Sequence, residues 1–320
     1  MKINIASNEV VHFIGIGGIG MSGLAQIMSN MGFAIQGSDL SQNKNTERLI
    51  KRGIKVFFDH HKKNLKKSTM VVISSAVKKN NKELMEAKSK QLPIFKRGEM
   101  LANIVALKKN IIITGSHGKT TTTSLVANIL VESGLDPTVI NGGVINSLKN
   151  NAQLGKGEWA VIEADESDGS FLKLPVTYSI VTNVDKEHLD FYGSFEKLKN
   201  SFRSFIEKTP SFGKSLVCID NKDLKSLLAK CKTRNFLTYG FNKKANYQII
   251  NLRNKKNHSI FDLKLNFFNS KNILIKNIVI NLIGKHNITN AAASIAIALN
   301  LGISFKKIKK GLKKFLGIQR

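Results

Sequence analysis

Val10-Val11-His12-Phe13-Ile14-Gly15-Ile16-Gly17-Gly18-Ile19-Gly20-Met21 decides the fold class. The β-branched and apolar run 10–14 reads as a buried strand, and Met21, Leu24, Ala25, Ile27 and Met28 then recur at helical spacing. Between them Gly15, Gly17 and Gly20 form Gly-x-Gly-x-x-Gly. Small residues at such a turn let the backbone approach a diphosphate, whose charge meets free N–H groups at the helix start. Asp39 ends a second strand, 24 residues after Gly15, where a carboxylate can meet ribose hydroxyls. Strand, glycines, helix and acid in that order point to a nucleotide; NAD and other diphosphate ligands fit the same geometry.

Working outward, Phe33–Gln36, Ile54–Phe58 and Met70–Ser74 read as further strands separated by helical stretches, which predicts parallel βαβ units. Pro93 to about Leu107 reads as a passage between domains. A second α/β unit opens with Ile111-Ile112-Ile113-Thr114, followed by a helix from about Lys119 to Ser133 that Gly134 stops. Trp159–Ala164 and Tyr178–Asn183 are buried-strand candidates. From Phe236 to Ile283, alternating stretches such as Asn246–Leu252 and Ser259–Leu265 predict a small antiparallel sheet on the edge of this domain, and an apolar helix follows over Asn290–Leu299. The expectation is an α/β protein with a Rossmann-like parallel-sheet domain over 1–105 and a P-loop-type central domain over 106–320.

Composition narrows the function. The chain has 320 residues, 42% apolar and 22% charged, which excludes wholesale disorder and fibrous repeats. No apolar run reaches the roughly 18 residues of a membrane span, and Met1–Val10 carries no signal-peptide pattern, so a cytoplasmic protein is expected. Of the 50 cationic residues behind the net charge of +28, 43 are dispersed Lys and 7 are Arg. Arg is the residue that fork-like phosphate and base contacts favour, so nucleic acid is not the expected partner. Cys218 and Cys231 form no metal-like cluster and read as free thiols near a core. No sequence feature specifies an oligomeric state.

The second glycine loop is more specific. In Thr114-Gly115-Ser116-His117-Gly118-Lys119-Thr120-Thr121, successive N–H groups can cradle phosphates, Lys119 can neutralise the terminal ones and the Thr120 hydroxyl can bind Mg²⁺. Only two residues separate Gly115 from Gly118, where the usual P-loop has four. Two phosphate loops on two units imply two phosphorylated ligands, which a simple NAD-dependent oxidoreductase leaves unexplained. Glu163, Asp165, Glu166 and Asp168 gather carboxylates at the end of an apolar strand, hard oxygen ligands of the kind Mg²⁺ requires. Glu163 is the preferred ligand because the strand fixes it; the others are expected to be solvated or paired with lysines. His188 follows another strand, at the carboxyl end where parallel sheets gather ligands. Asn287 and Asn290 precede or open a helix, and from local sequence they read as helix caps, with a hydrogen bond to a base as the alternative.

Taken together these residues resemble the Mur ligase family, over essentially the whole chain and in order. The set comprises His12–Gly23, Gly37-Ser38-Asp39, Ser74-Ser75-Ala76, Arg97–Leu101, Gly115–Thr121, Glu163–Asp168, and His286-Asn287 with Asn290. The shortened phosphate loop is itself typical of that family. The resemblance implies an ATP-dependent amide ligase of peptidoglycan synthesis, joining L-alanine to the lactyl carboxylate of UDP-N-acetylmuramate through an acyl phosphate. It would place the UDP sugar on Gly15, Gly17, Gly18, Gly20, Ser38, Asp39, His60 and Ser74, and ATP on Gly115–Thr121. It would place Mg²⁺ on Thr120, Glu163 and His188, with Lys119, Glu163 and His188 as catalytic residues. It also puts adenine near Asn287 and Asn290, against the local capping preference. The family's third, C-terminal domain is expected to be absent, because the chain stops at Gly317-Ile318-Gln319-Arg320 where relatives carry two arginines and continue; Arg320 would match the first, and turnover by this chain alone is not expected. The alternatives are a ligase that recycles murein tripeptide onto UDP-N-acetylmuramate and an inactive nucleotide-binding fragment; the first glycine loop favours the alanine-adding type.

Overall fold

In the computed structural model, which describes residues 9–145, 150–267, 273–315 and 317–319, Val10–Ile14 forms β1 at the centre of a five-stranded parallel sheet. Its neighbours are β2 (Ala34–Ser38), β3 (Lys55–Phe57), β4 (Met70–Ile73) and β5 (Ile94–Lys96), in the order β3-β2-β1-β4-β5. The direction in which strands are added reverses between β1 and β4, and in such sheets ligands bind at the carboxyl ends of the strands beside that reversal. Helix α1 (Ile19–Asn30) packs Met21, Leu24, Ala25, Ile27 and Met28 into the core, none more than 2% exposed. Each of the larger side chains contributes about 1.5–3 kcal/mol by leaving water. Helices α2 (Lys44–Lys51) and α3 (Lys82–Ser89) follow β2 and β4.

The segment after Pro93 carries the chain from one compact unit to the next, between Ile104 and Val105, but does so as ordered elements rather than as a linker. It folds as β5 and then α4 (Arg97–Val105), with Met100, Leu101 and Val105 buried. Three strand residues are too few to show alternation, and pairing Val71–Ile73 with Ile94–Lys96 supplies the order that local pattern does not.

The chain divides into two compact units, Met1–Ile104 with Asn151–Leu154, and Val105–Asn150 with Gly155–Arg320. In the second, β6 (Lys109–Thr114) leads into α5 (Lys119–Glu132). There follow β7 (Thr138–Ile145), β9 (Trp159–Glu163), β10 (Tyr178–Val181), β11 (Ser215–Cys218) and β12 (Phe236–Gly240), while β8 (Asn150–Gln153), between β7 and β9 in the chain, falls mostly in the stretch assigned to the first unit. Then come β13 (Tyr247–Asn254), β14 (Ser259–Leu265), β15 (Ile273–Ile280) and β16 (Ile318–Gln319). The sheet order is β15-β14-β13-β12-β11-β10-β6-β9-β7-β16. It is parallel from β13 to β7 and antiparallel where β14 and β15 join one end and β16 the other. The antiparallel strands therefore continue the main sheet rather than form a separate one, and Phe236–Gly240 belongs to its parallel part.

Helices α6 (Leu189–Tyr192), α7 (Phe195–Glu207) and α8 (Lys222–Ala229) come between the strands, and α5 is buried against the later helices α9 (Lys285–Asn300) and α10 (Phe305–Lys314). The alanines Ala291, Ala292, Ala293, Ala296 and Ala298 of α9 are fully buried, and Gly311 of α10 comes so near α5 that a Cβ there would stand 2.8 Å from Ile129 Cα. This close packing holds α5, the helix that the second glycine loop opens, against α9 and α10. Cys218 and Cys231 are free and buried. Arg320 lies outside the described residues.

Candidate active site

The loop after β6 turns on two glycines in the left-handed region, Gly115 at φ +130° and Gly118 at φ +84°. A Cβ at Gly115 would stand 2.2 Å from Thr182 Oγ1, and one at Gly118 would stand 2.7 Å from Asn290 Oδ1. The end of β10 grips this loop. The Thr182 hydroxyl and the Asn183 amide donate to the His117 carbonyl at 2.6 and 2.9 Å, and the His117 N–H donates to Asn183 Oδ1 at 2.8 Å. The Asp185 N–H donates to Ser116 Oγ at 2.9 Å. Thr182 and Asn183 were not among the sequence candidates; their position as the last two residues of the strand predicted over Tyr178–Asn183, at the ligand end of the sheet, was the available signal.

Lys119 opens α5 and turns back over the loop. Its Nζ donates to the carbonyls of Gly115 (2.6 Å) and Ser116 (3.2 Å) and to both oxygens of Glu166 (3.0 and 2.9 Å). Next to it, the Thr120 hydroxyl donates to Glu163 Oε1 at 3.0 Å and the Gly142 N–H donates to Glu163 Oε2 at 2.6 Å. Burial raises the carboxyls of both Glu163 and Glu166 above their ordinary value, opposed by hydrogen bonds and by the Lys119 charge. Asp165 and Asp168 accept from the N–H groups of Ser167 and Ser170, closing the turn that carries them.

His188 sits in the left-handed region (φ +55°), and its Nε2 lies 3.8 Å from Glu166 Oε1. Glu166, Glu187 and His188 offer ligand atoms that all lie within 4.8 Å of one another. Of the three residues expected to hold Mg²⁺, Thr120 and Glu163 are in contact, while His188 lies beside Glu166, the partner of Lys119. The donor set suits a hard divalent cation: a hydroxyl and carboxylates beside a phosphate loop, with Glu163 at the end of its strand and destabilised as an anion by burial.

Beside the loop lies a cavity of about 760 Å³ lined by His117, Gly118, Thr121, Asn183, Asp220, His286, Asn287 and Asn290. The helix-capping expectation for the asparagines is wrong. Gly284 occupies the cap position, and α9 begins at Lys285, which places both asparagines inside the helix. Asn287 donates to the Ile283 carbonyl and faces the cavity, while Asn290 is buried against Gly118.

In the first unit a cleft of about 600 Å³ is lined by Gly15, Gly17, Gly18, Asp39, Asn43, His60, Ser74 and Asn81, among others. Asp39 Oδ2 accepts the Gly17 N–H at 2.8 Å, so part of its carboxylate shapes the glycine loop. Gly20 and Ser38 do not line the cleft. Gly20 lies under the Arg97 side chain, and Ser38 is buried, donating to Glu83 Oε2 at 2.5 Å.

Comparisons with known proteins agree with this arrangement. A profile of the Mur ligase middle domain matches residues 113–298, and one of the Mur ligase family catalytic domain matches residues 10–109. A UDP-N-acetylmuramate–L-alanine ligase of Pelagibacter ubique is 60% identical over all 320 residues, which cover 69% of its length. The ligase of the same name from Rhizobium johnstonii is 48% identical over 312 residues, 97% of this chain and 66% of its own. The chain thus spans about two thirds of the length of these relatives. Among solved structures, the UDP-N-acetylmuramate–alanine ligase of Thermotoga maritima superposes with a TM-score of 0.85 at 29% identity, covering 97% of this chain and 69% of that one. A UDP-N-acetylmuramate:L-alanyl-γ-D-glutamyl-meso-diaminopimelate ligase from Neisseria meningitides superposes with a TM-score of 0.86 at 25% identity, covering 98% and 99%. With the middle-domain profile alone matching more than half of the residues, and both glycine loops set at the carboxyl ends of their sheets, the chain belongs to the Mur ligase family.

Proposed function

We propose that this chain carries the UDP-N-acetylmuramate and ATP sites of an ATP-dependent ligase that joins L-alanine to the lactyl carboxylate of the sugar nucleotide, in peptidoglycan precursor synthesis. The observation that carries the reading is the pairing of neighbours at the start of α5: Lys119 ends on the loop carbonyls and Glu166, and Thr120 ends on Glu163. The alanine-adding assignment draws on the relative that is 60% identical.

The chemistry begins with two anions that repel, a carboxylate and the γ-phosphate of ATP. On this reading, the loop N–H groups from Gly115 to Thr121 hold the phosphates and Lys119 offsets the charge that builds on the transferring group. Mg²⁺, held by Thr120, Glu163 and His188, would add Lewis-acid charge stabilisation on the phosphate oxygens. The carboxylate oxygen attacks phosphorus in line, ADP leaves, and an acyl phosphate remains. The neutral amine of L-alanine then attacks the acyl carbon, and inorganic phosphate departs as the amide forms. Adenine would occupy the cavity beside Asn287 and Asn290, and the UDP moiety the cleft at Gly15–Gly18, Asp39, His60 and Ser74. Among the described residues no helix is long and apolar enough to cross a membrane, and the reading places the reaction in the cytoplasm, where both nucleotides are made.

The test is ADP release with UDP-N-acetylmuramate, Mg²⁺ and either L-alanine or the murein tripeptide. It is run on this chain and on the chain extended by the remaining third of the Pelagibacter relative. Alanine-dependent release from the extended protein is the expected result. Release with tripeptide alone would move the assignment to the recycling ligase, and calorimetry showing no binding of either nucleotide would overturn both.

A further inference from the structure

Behind the cleft of the first unit lies a carboxylate that no step above uses. Glu83, the second residue of α3, is fully buried and ringed by donors. The Asn64 amide donates to Oε1 at 2.8 Å, the Ser38 hydroxyl donates to Oε2 at 2.5 Å, and His60 Nδ1 lies 2.9 Å from Oε2. His12 Nε2 lies 3.3 Å from Oε1, an ionic contact short of good hydrogen-bond geometry. Burial pushes the Glu83 carboxyl upward, but the His12 ring, the Ser38 hydroxyl and the Asn64 amide together outweigh it and hold the group below the ordinary carboxylate value. An ionised carboxylate only accepts.

That fixes the hydrogens around it. His60 Nδ1 faces an obligate acceptor at Glu83, so Nδ1 carries the hydrogen. The Ser38 hydroxyl has given its own hydrogen to Glu83 and turns lone pairs toward the same nitrogen at 3.0 Å. In the neutral ring Nε2 is therefore a bare acceptor. His60 lines the cleft and its side chain is 19% exposed, with Nδ1 engaged on the inner side. Nε2 is the ring nitrogen left for a ligand. On the far side, Gln36 Nε2 donates to the Asn64 carbonyl at 2.7 Å and approaches His12 Nδ1 at 3.3 Å, so Glu83 is the hub on which both histidines and Asn64 converge.

Resting on the reading of this cleft as the uridine-nucleotide site, we propose that Glu83 is a positioning residue: it holds His60 as the Nδ1–H tautomer with Nε2 presented to the cleft as a hydrogen-bond acceptor. The matching ligand group must be a donor, which a diphosphate at neutral pH is not. It is a ribose hydroxyl or the uracil N–H. Metal-binding histidines are held by carboxylates in the same way, and loss of such a carboxylate typically costs 10–100-fold in affinity.

The experiment uses the whole chain with UDP as probe. Imidazole ¹⁵N spectra of the unsubstituted chain should show His60 protonated at Nδ1 with a bare Nε2 that shifts when UDP is added. Glu83→Gln should weaken UDP binding about tenfold. His60→Phe should do the same, and the double variant should lose no more than either alone, because one acts through the other. Glu83→Asp should recover part of the affinity. Of 2′-deoxy-UDP, 3′-deoxy-UDP and N3-methyl-UDP, one should bind the unsubstituted chain more weakly than UDP, yet no more weakly than UDP binds His60→Phe. Additive losses, an Nε2–H tautomer, or three analogues that all bind like UDP would overturn the proposal while leaving the cleft assignment standing. No UDP binding by the unsubstituted chain would overturn the assignment and the proposal with it. If Glu83→Gln does not fold, the spectra of the unsubstituted chain decide alone.

Discussion

Lys119 Nζ and the Glu166 carboxylate meet with both oxygens within 3.0 Å, at a place where the Glu166 side chain is 1% exposed. The lysine that would face the γ-phosphate is thus already held at the loop by a buried anion, and one of its present contacts gives way when phosphate arrives. Electrostatic catalysis draws on groups oriented before the reaction begins.

Lys119→Met should lower turnover of the complete ligase about 10²–10³-fold, the usual cost of one well-placed charge stabiliser, while a surface lysine such as Lys79 should be replaceable without loss. Near-normal kcat in Lys119→Met would remove the lysine from the chemistry.

The same substitution carries a pH signature. Burial raises the Glu166 carboxyl and the Lys119 charge opposes that rise, so removing the lysine raises it further. An acid whose folded value is raised opposes folding when ionised, and the penalty fades as pH falls through that value. Lys119→Met should therefore lose more stability at pH 8 than at pH 5, read by denaturant unfolding at both. An equal loss at the two pH values would contradict the pairing.

The phosphate-loop glycines should rank by what surrounds them. Gly115→Ala combines φ +130° with a Cβ 2.2 Å from Thr182 Oγ1 and 2.8 Å from the Asn183 carbonyl, which is backbone and cannot step aside. Gly118→Ala meets a side chain, Asn290. Both should destabilise by at least about 1–3 kcal/mol, with Gly115→Ala the worse, and both should weaken binding of an ATP analogue. Thermal melting and calorimetry check this; a Gly115→Ala protein that melts normally would contradict the loop geometry.

What sequence could show here depended on range. Gly15–Gly20 and Gly115–Lys119 were legible because a backbone that must approach phosphate leaves glycine and lysine at fixed local spacing. Strand β5 was not, because its order comes from pairing with β4 rather than from its three residues. Asn287 and Asn290 resemble caps locally, yet the cap falls on Gly284, whose φ of +100° suits glycine. Glu163 could be favoured over its acidic neighbours because it ends a strand, but that Glu166 would be the lysine's partner depends on how the turn 165–169 folds back. Glu83 was invisible: in Lys82-Glu83-Leu84-Met85 it looks like an exposed first-turn acid, and its partners Ser38 and His12 lie 45 and 71 residues away.

Cys218 lines the cavity beside the loop, yet burial pushes its thiol up to about 11. At pH 8 about one molecule in a thousand carries the thiolate that reacts. Alkylation by iodoacetamide should be slow with or without ATP, and should speed up only on denaturation. Rapid labelling of the folded chain would show that the cavity admits more water than the structure allows.

Glu83 gives the first unit its own acid signature. A carboxyl held below its unfolded value contributes stability that is fully present above the ordinary glutamate value of 4.5 and lost as pH falls through the folded value. Glu83→Gln cannot make that contribution at any pH, and at neutral pH it leaves buried donors of Asn64, Ser38 and His60 imperfectly matched, a cost of about 1–3 kcal/mol. The gap between the two proteins should therefore be widest near pH 7 and shrink below pH 4.5. Unfolding of the whole chain would mix two units, so the measurement is hydrogen exchange at the amides of Val11–Ile14, which lie in the strand that carries His12. A gap that stays constant from pH 7 to pH 4 would mean that Glu83 is not held as an anion, and the tautomer of His60 would lose its cause.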